Sequence, residues 1–422
     1  MSMMLPPWQS RDLSHFRRGE GGDIFDIHGH YSRWLGDARP GGYYLYYLAA
    51  NSAPGTDIEI ARPGHDPSTL INLASYNYLG LAQDPRVLGA AAHALARYGL
   101  GAAGSPYLSG ALEIHDQLSA ELAAFKAADA CLLFPTGYSA NIGTISALVG
   151  PGDIVIADIA AHASILDGAA LSRAKLSLFR HNDPRSLARK LEGLAPEARV
   201  LVAVEGVYSM DGDTAPLAEI AELCRARPNT RLLVDEAHSA FIYGENGRGL
   251  VEAAGVEDLV DVHIGTLSKS LGGMGGYVTG SLELIEYLRP YSRSQVFSCA
   301  LAPAIAAGVL EALRIVSAEP ERRARLWANV ACMRGALQRH GVNVGESSSQ
   351  VIPIMVNDDT LVFEVAERLM DAGVYLNPVR YPAVKRKRSR LRVSISAAHE
   401  PAELEEAADR IAEVLRAVGV LA

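Results

Sequence analysis

The sequence predicts an α/β protein with a mainly parallel central sheet and a smaller α+β C-terminal part. Three observations carry this. Between about residues 70 and 300, short apolar runs alternate with alanine- and leucine-rich stretches of helical period. Such alternation means strands covered on both faces by crossover helices. Polar residues stand just after several of those runs, where ligands meet a parallel sheet. From about residue 305 the rhythm changes to long helices and then the apolar runs "SQVIPIMV" and "RLRVSISAA".

Taken in order, residues 1–65 read as an irregular N-terminal arm with Gly-Gly pairs, prolines and the aromatic cluster "YYLYYL", Tyr43 to Leu48. That cluster suits an amphipathic helix packing on the body or on a second subunit, since aromatics gravitate to cores and interfaces. Residues 66–304 read as a large domain with strands at "ACLLF", "DIVIAD", "RVLVAVEG", "RLLVDEA" and "DVHIGT", and with helices such as "EIHDQLSAELAAFKAA". Residues 305–422 read as the C-terminal α+β domain. A chain of 422 residues is too long for one small core.

Composition excludes several classes. The net charge is −9, against the clustered cations that nucleic-acid phosphates require. Cys131, Cys224, Cys299 and Cys332 are scattered without C-x-x-C spacing, so free thiols are expected rather than a zinc site or a disulfide framework. No metal site is expected. The first 23 residues lack the continuous apolar core of a signal peptide, and no run is long enough to span a bilayer. A cytoplasmic protein is expected.

The chemistry gathers at strand ends. "HIGTLSKSLGGMGGYVTGS" puts Lys269 in a turn after an apolar run, with five glycines in the next eleven positions. Most lysines are solvated charges, but so little bulk around this one suggests an amine presented to a ligand that comes close to the backbone. "LLFPTGYSAN" places Thr136, Gly137 and Tyr138 at a helix start, whose free N–H groups suit a phosphate. Alone this is a weak signal. His162 heads another helix in "ADIAAHASILDG"; a lone histidine there is more often a cap or a satisfied core residue. In "LLVDEAHSAF", Asp235 ends an apolar strand, where a carboxylate is costly without a partner, and His238 follows three residues later. "VEGVYSMDGDTAPL" adds Glu205 and Ser209.

Together a phosphate seat, a carboxylate, a flat ring and a recessed lysine meet the requirements for pyridoxal 5′-phosphate. Lys269 would bind its aldehyde. Asp235 would keep the pyridine nitrogen protonated so that the ring accepts carbanion electrons. His162 would stack on the ring, and Thr266 with the helix start at Gly137 would take the phosphate. The glycines after Lys269 would let the cofactor approach the backbone.

On "ASYNYLGL", "HASILDG", "FRHND", "EGVYSMDGDTAPL", "VDEAHS", "NGRG", "GTLSKSLGGMGGY" and "RLRVSISAAH", the chain resembles the α-oxoamine synthases. These are fold-type I pyridoxal-phosphate enzymes, aspartate aminotransferase-like, that join a small amino acid to an acyl thioester with loss of carbon dioxide. The words run in family order from about residue 70 onward. They look most like those of bacterial serine palmitoyltransferases, then of 8-amino-7-oxononanoate synthases. The resemblance implies that Lys269 is the Schiff-base lysine and the base for the α-proton, and that His162 stacks on the cofactor and touches the substrate carboxylate. Asp235 would meet the ring nitrogen, with His238 and Ser209 at the ring's 3′-oxygen. Gly137, Tyr138 and Thr266 would hold the phosphate, joined by Ser298 of a second subunit. Asn77 and Arg392 would anchor the amino acid's carboxylate.

It further implies a homodimer with shared active sites, and an acyl-CoA or an acyl carrier protein as donor. Two segments that lie near the donor entrance in the family depart from its pattern: Pro106 stands where arginine is usual, and Lys385 where a second proline is usual. "KRKRSRLR", Lys385 to Arg392, is strongly basic, as a solvated loop or as a dock for coenzyme A phosphates or an acidic carrier protein. The alternative activity is a pyridoxal-phosphate lyase or aldolase that needs no thioester. A non-catalytic partner subunit would lack the lysine.

Overall fold

A computed structural model describes residues 11–16, 23–41, 44–62 and 65–421. The chain forms two compact units. One comprises residues 76–209 and 213–325; the other comprises 1–75, 210–212 and 326–422.

The first unit is organised by a seven-stranded sheet: β1 (Ala130–Phe134), β2 (Ile154–Asp158), β3 (Lys175–Phe179), β4 (Val200–Glu205), β5 (Thr230–Asp235), β6 (Val262–Thr266) and β7 (Gly276–Gly280). Their order is β1-β7-β6-β5-β4-β2-β3. The run β6-β5-β4-β2-β3 is parallel, while β7 pairs antiparallel with both β1 and β6. The alternating pattern explains why the sheet forms. Val155, Ala157, Leu201, Ala203 and Leu233 enter one core with Ile145 and Ile165. Ile156, Val202, Val204, Leu232 and Val234 enter the other, with Leu187, Leu217 and Ile220. Each valine, leucine or isoleucine among them contributes about 1.5–3 kcal/mol on burial, so both faces must be covered.

Helices α1 (Pro85–Tyr98), α2 (Glu113–Phe125), α3 (Gly137–Leu148), α4 (Ala163–Ser172) and α5 (Pro303–Ala318) belong to this unit. Helix α1 starts where Asp84 accepts from the N–H of Arg86 at 3.0 Å and Pro85 fixes the first turn. All five expected strands are present. β3 and β7 were not expected: "KLSLF" is short and polar, and the glycines of β7 masked a strand.

In the second unit, Val351–Met355 and Arg390–Ser394 pair antiparallel in register Pro353↔Arg392, with Asn377–Val379 on the far side of the latter. The N-terminal segment is less irregular than its composition implies. Asp26–Ala38 is helical, burying Trp34 and Ala38, and Asp57–Ile60 pairs antiparallel with Ser68–Asn72. The expected helix at Tyr43 to Leu48 does not form. Tyr43 lies outside the described residues, and Tyr44 to Leu48 is extended or bent, with Tyr47 at φ 58°. The rings form an edge-on chain instead: Tyr44 meets Trp34 at 6.1 Å and Tyr46 at 5.3 Å, and Tyr46 meets Phe363 at 5.7 Å. Residues 1–10, on which the reading of the extreme N-terminus falls, lie outside the described residues. Among the described residues no helix is long and apolar enough to cross a membrane, and all four cysteines are free thiols.

Candidate active site

The parallel strands end in polar residues: Asp158 on β2, Glu205 on β4, Asp235 on β5 and Thr266 on β6. Asp235 is 5% exposed. Its Oδ1 accepts from the N–H of Ala237 at 2.9 Å, and its Oδ2 from Asn141 Nδ2 at 2.7 Å. The Asn141 amide also donates to Ser164 Oγ at 3.0 Å, and Ser164 Oγ lies 2.7 Å from His162 Nδ1. Asn141 stands one helical turn after Gly137 on α3, and Ser164 is in the first turn of α4. His162 is therefore the helix cap that its position suggests, taking the N–H of Ser164 at 3.3 Å, and also a member of the Asp235 network.

The backbone N–H of His162 donates to Glu205 Oε1 at 2.6 Å. Burial, reinforced by the charge of Asp235, pushes the Glu205 carboxyl well above its usual range. The His162 imidazole is pushed down by burial and by the charge of Lys269, against the pull of Asp235. It is therefore held toward its neutral form.

The expected phosphate seat lies at the start of α3. Thr136 caps it: its Oγ1 accepts from the N–H of Ser139 at 3.0 Å, and Ser139 Oγ donates to the Thr136 carbonyl at 2.8 Å. The N–H groups of Gly137 and Tyr138 precede that closure. Gly137 packs on Thr266, where an added Cβ would come within 3.1 Å of Thr266 Cβ. Thr266 Oγ1 lies 2.7 Å from Ser268 Oγ, which joins helix start and hydroxyls in one place. Tyr138 donates its hydroxyl to Asp167 and sets its ring edge-on to His162 at 6.4 Å. That bond to Asp167 raises the Tyr138 hydroxyl's pKa.

Lys269 is half-buried, with Nζ 5.8 Å from the ring centre of Tyr76. The same ring lies edge-on to His238 at 5.8 Å, and His238 Nδ1 is 2.8 Å from the hydroxyl of Tyr78. Ser209 is half-buried beyond Tyr208, whose ring meets His181 edge-on at 4.5 Å.

Several glycines after Lys269 make room for other parts of the protein. The space at Gly272 (φ 69°) is taken by the backbone of Ala82, that at Gly273 by Val309, and that at Gly276 by Thr136 and Gly137. They bring the lysine turn and the phosphate seat together by close backbone approach.

Asn77 uses its side-chain carbonyl to accept from the N–H groups of Leu81 and Ala82 at 2.9 and 3.2 Å. Ser298 is tied by its N–H to the carbonyl of Gln295 at 3.3 Å, not to the Asp235 network. Arg392 belongs to the other unit, in the middle of its strand and 6% exposed. Asn141, Ser164, Tyr76 and Tyr78 were not anticipated as site residues. Asn141 had a usable signal, an amide inside an apolar helix one turn from the glycine that starts it.

The residues present fit pyridoxal phosphate: a glycine and two hydroxyls at a helix start, a buried carboxylate at a strand end, an imidazole held neutral, and an amine in a tight turn.

The aminotransferase class I and II family matches residues 68–411. The 8-amino-7-oxononanoate synthase of Anaeromyxobacter sp. (strain K) is 46% identical over 346 residues, which cover 82% of this chain and 86% of that protein. The serine palmitoyltransferase of Sphingobacterium spiritivorum is 37% identical over 375 residues, covering 89% and 92%. Among solved structures, Sphingomonas wittichii serine palmitoyltransferase has a TM-score of 0.90 at 34% identity, covering 95% of this chain and all of its own. A structure of SPT with PLP has a TM-score of 0.88 at 34% identity, covering 97% and 100%.

Proposed function

The chain belongs to the aminotransferase class I and II family, within it to the α-oxoamine synthases of fold type I, and from that premise we propose its reaction. It condenses a small amino acid (serine, alanine or glycine) with an acyl thioester, releasing carbon dioxide and a thiol and leaving an α-aminoketone. Pyridoxal phosphate, when bound, supplies the electron sink for the carbanion.

The observation that carries this reading is the buried Asp235 at the end of β5, bonded by Asn141 and the N–H of Ala237 and joined through Ser164 to His162. A carboxylate so fixed stands where a ring nitrogen needs a partner. Lys269 Nζ takes the α-proton. His162 packs against the bound ring and orients the substrate carboxylate. The N–H groups of Gly137 and Tyr138, with the hydroxyl of Thr266, bind the phosphate, while His238 and Ser209 serve the ring oxygen. Asn77 and Arg392 anchor the amino acid. General acid–base help of this kind is worth roughly 10²–10⁴-fold.

The active form is a homodimer in which Ser298 completes the phosphate site of the other copy. The exposed Tyr107, Leu108, Met274 and Phe297 are apolar surface that a second copy would cover. Four free thiols suit a reducing compartment, the cytoplasm.

The test is to follow the visible spectrum of the cofactor-loaded protein as each amino acid and then a thioester, on coenzyme A or on a carrier protein, is added. Carbon dioxide and free thiol should appear together, and only when both substrates are present. Turnover of an amino acid without thioester would replace this reading with a lyase.

A further inference from the structure

We infer that Asn141 and Ser164 are positioning residues that lock His162 as the neutral imidazole protonated at Nε2. The hydrogen bonds run in one direction from Asp235. A carboxylate only accepts, so the Asn141 atom 2.7 Å from Asp235 Oδ2 is the amide nitrogen. That nitrogen's second hydrogen goes to Ser164 Oγ at 3.0 Å. Ser164 Oγ therefore accepts from Asn141, and among the described residues its own hydrogen has one receiver, His162 Nδ1 at 2.7 Å. Ser164 is fully buried, so a hydroxyl turned the other way would leave that hydrogen unbonded away from water. The N–H of Ser164 points at the same Nδ1 from 3.3 Å. Two donors converge on one ring nitrogen, which must present its lone pair, and the ring proton resides on Nε2.

The arrangement has a cost that argues for its purpose. Asn141 is 2% exposed, and its Oδ1 is buried without a hydrogen-bond partner among the described residues. Such an orphan costs about 1–3 kcal/mol. An apolar residue in that helix position would avoid the cost but would break the chain between Asp235 and His162.

One consequence rests on the proposed function. The ring nitrogen left over at His162 is a donor, so the substrate group it contacts is an acceptor, a carboxylate oxygen rather than an ammonium or a hydroxyl hydrogen. The group that holds the ring nitrogen of the cofactor thereby also sets the polarity of the residue that meets the substrate.

The tautomer can be read without turnover. Histidine ring nitrogens in the ¹⁵N-labelled full-length protein, with and without cofactor, report the protonation of each nitrogen directly. The chain has 12 histidines, and the signal lost in His162→Gln assigns the one in question. Near neutral pH the wild type should show a bare Nδ1 and a protonated Nε2. In Ser164→Ala, and independently in Asn141→Ala, both signals should move toward the mean of the two tautomers while the melting profile stays cooperative. A wild-type His162 protonated at Nδ1 overturns the inference, as does a His162 spectrum unchanged in both folded variants. Either result leaves the reaction class standing, which the thioester experiment decides separately.

Discussion

Lys126 Nζ donates to Glu236 Oε2 over 2.6 Å with both side chains almost wholly buried, directly behind the Asp235 that ends β5. Glu236 also accepts from the N–H of Val251 at 3.1 Å and from Ser239 Oγ at 3.2 Å. It packs against Gly249, where φ is 131° and an added Cβ would meet Oε1 at 2.1 Å. The pair thus ties the end of α2 to the Asp235–His238 turn and to the "NGRG" loop. Removing one partner leaves a buried charge alone, at about 3–5 kcal/mol. Glu236→Gln should lower stability by that order, measured by denaturant unfolding, with part recovered when Lys126→Met is added. Burial would raise the Glu236 carboxyl, but Lys126 and His263 bring it down to about 2. Its folded value lies below its ordinary 4.5, so its stabilisation is complete above 4.5 and is lost as pH falls toward 2. Wild type and Glu236→Gln should therefore converge in stability at the acid end; a constant gap would contradict the assignment.

His181 behaves in the opposite sense. Its Nδ1 is 2.9 Å from Asp158 and its Nε2 is 2.8 Å from Asp213. Burial alone would lower its pKa, but the bonds to both carboxylates outweigh this and carry it up to about 10. The folded value exceeds the ordinary 6.5, so the stabilisation is complete below 6.5 and disappears as pH rises through about 10. The difference in melting temperature between wild type and His181→Gln should be constant below pH 6.5 and shrink steadily from there until it is gone above about 10. A His181 ring that titrates near its ordinary value in the folded protein would refute the double clamp.

Gly276→Ala should weaken the cofactor without touching it. The new Cβ would lie 2.5 Å from the Thr136 carbonyl oxygen and 2.7 Å from Gly137 N. Neither atom can swing away, because both are backbone at the capped start of α3. Overpacking of this kind costs about 1–3 kcal/mol, and here it falls on the phosphate seat. The dissociation constant for pyridoxal phosphate should rise by about tenfold or more, equivalent to ~1.4 kcal/mol. Equal affinity in a folded variant would mean that the phosphate binds elsewhere.

Lys269→Ala should abolish turnover in a protein with unchanged circular dichroism. Lys269 is half-buried in a turn and carries no part of the core, so loss of activity without loss of fold is expected. Its charge is one of the influences that hold the His162 pKa down. The His162 ring should therefore titrate at higher pH in the variant, which is measurable by NMR. Near-normal turnover would remove Lys269 from the mechanism.

What could be read in the sequence was whatever chemistry is written locally. Asp235 and Thr266 each end an apolar run, and Lys269 follows one, so alternation alone located them. Side chains that act across elements left fainter marks. Ser164 reads as an ordinary helix-start residue, and Tyr78 as one aromatic among many, because their partners, Asn141 and His238, are distant in the chain. The aromatic run at Tyr43 to Leu48 was legible as buried surface but not as backbone, since a single residue at φ 58° is enough to forbid the helix. The glycines after Lys269 suggest clearance for a ligand; the space at Gly273 and Gly276 is taken by Val309, Thr136 and Gly137, which come from other elements.

The basic run before Arg392 is less open to a partner than its composition implies. Arg386 pairs with Asp12 at 3.0 Å, Arg388 reaches Asp211 at 3.6 Å, and the buried Arg390 meets the same Asp211 at 2.5 Å. Among the described residues of the run, Lys385 and Lys387 are the exposed charges that remain for an incoming polyanion. Replacing both by glutamate leaves the three arginine pairs in place, so folding should be untouched. If the loop docks the phosphates of coenzyme A or the acidic face of a carrier protein, the donor's KM should rise several-fold at low salt. The difference should fade as added salt shortens the Debye length toward ~3 Å at molar strength. The amino acid's KM and kcat at saturating donor should be unaltered, since docking acts on encounter rather than chemistry. An unchanged donor KM at low salt would return the run to a solvated loop.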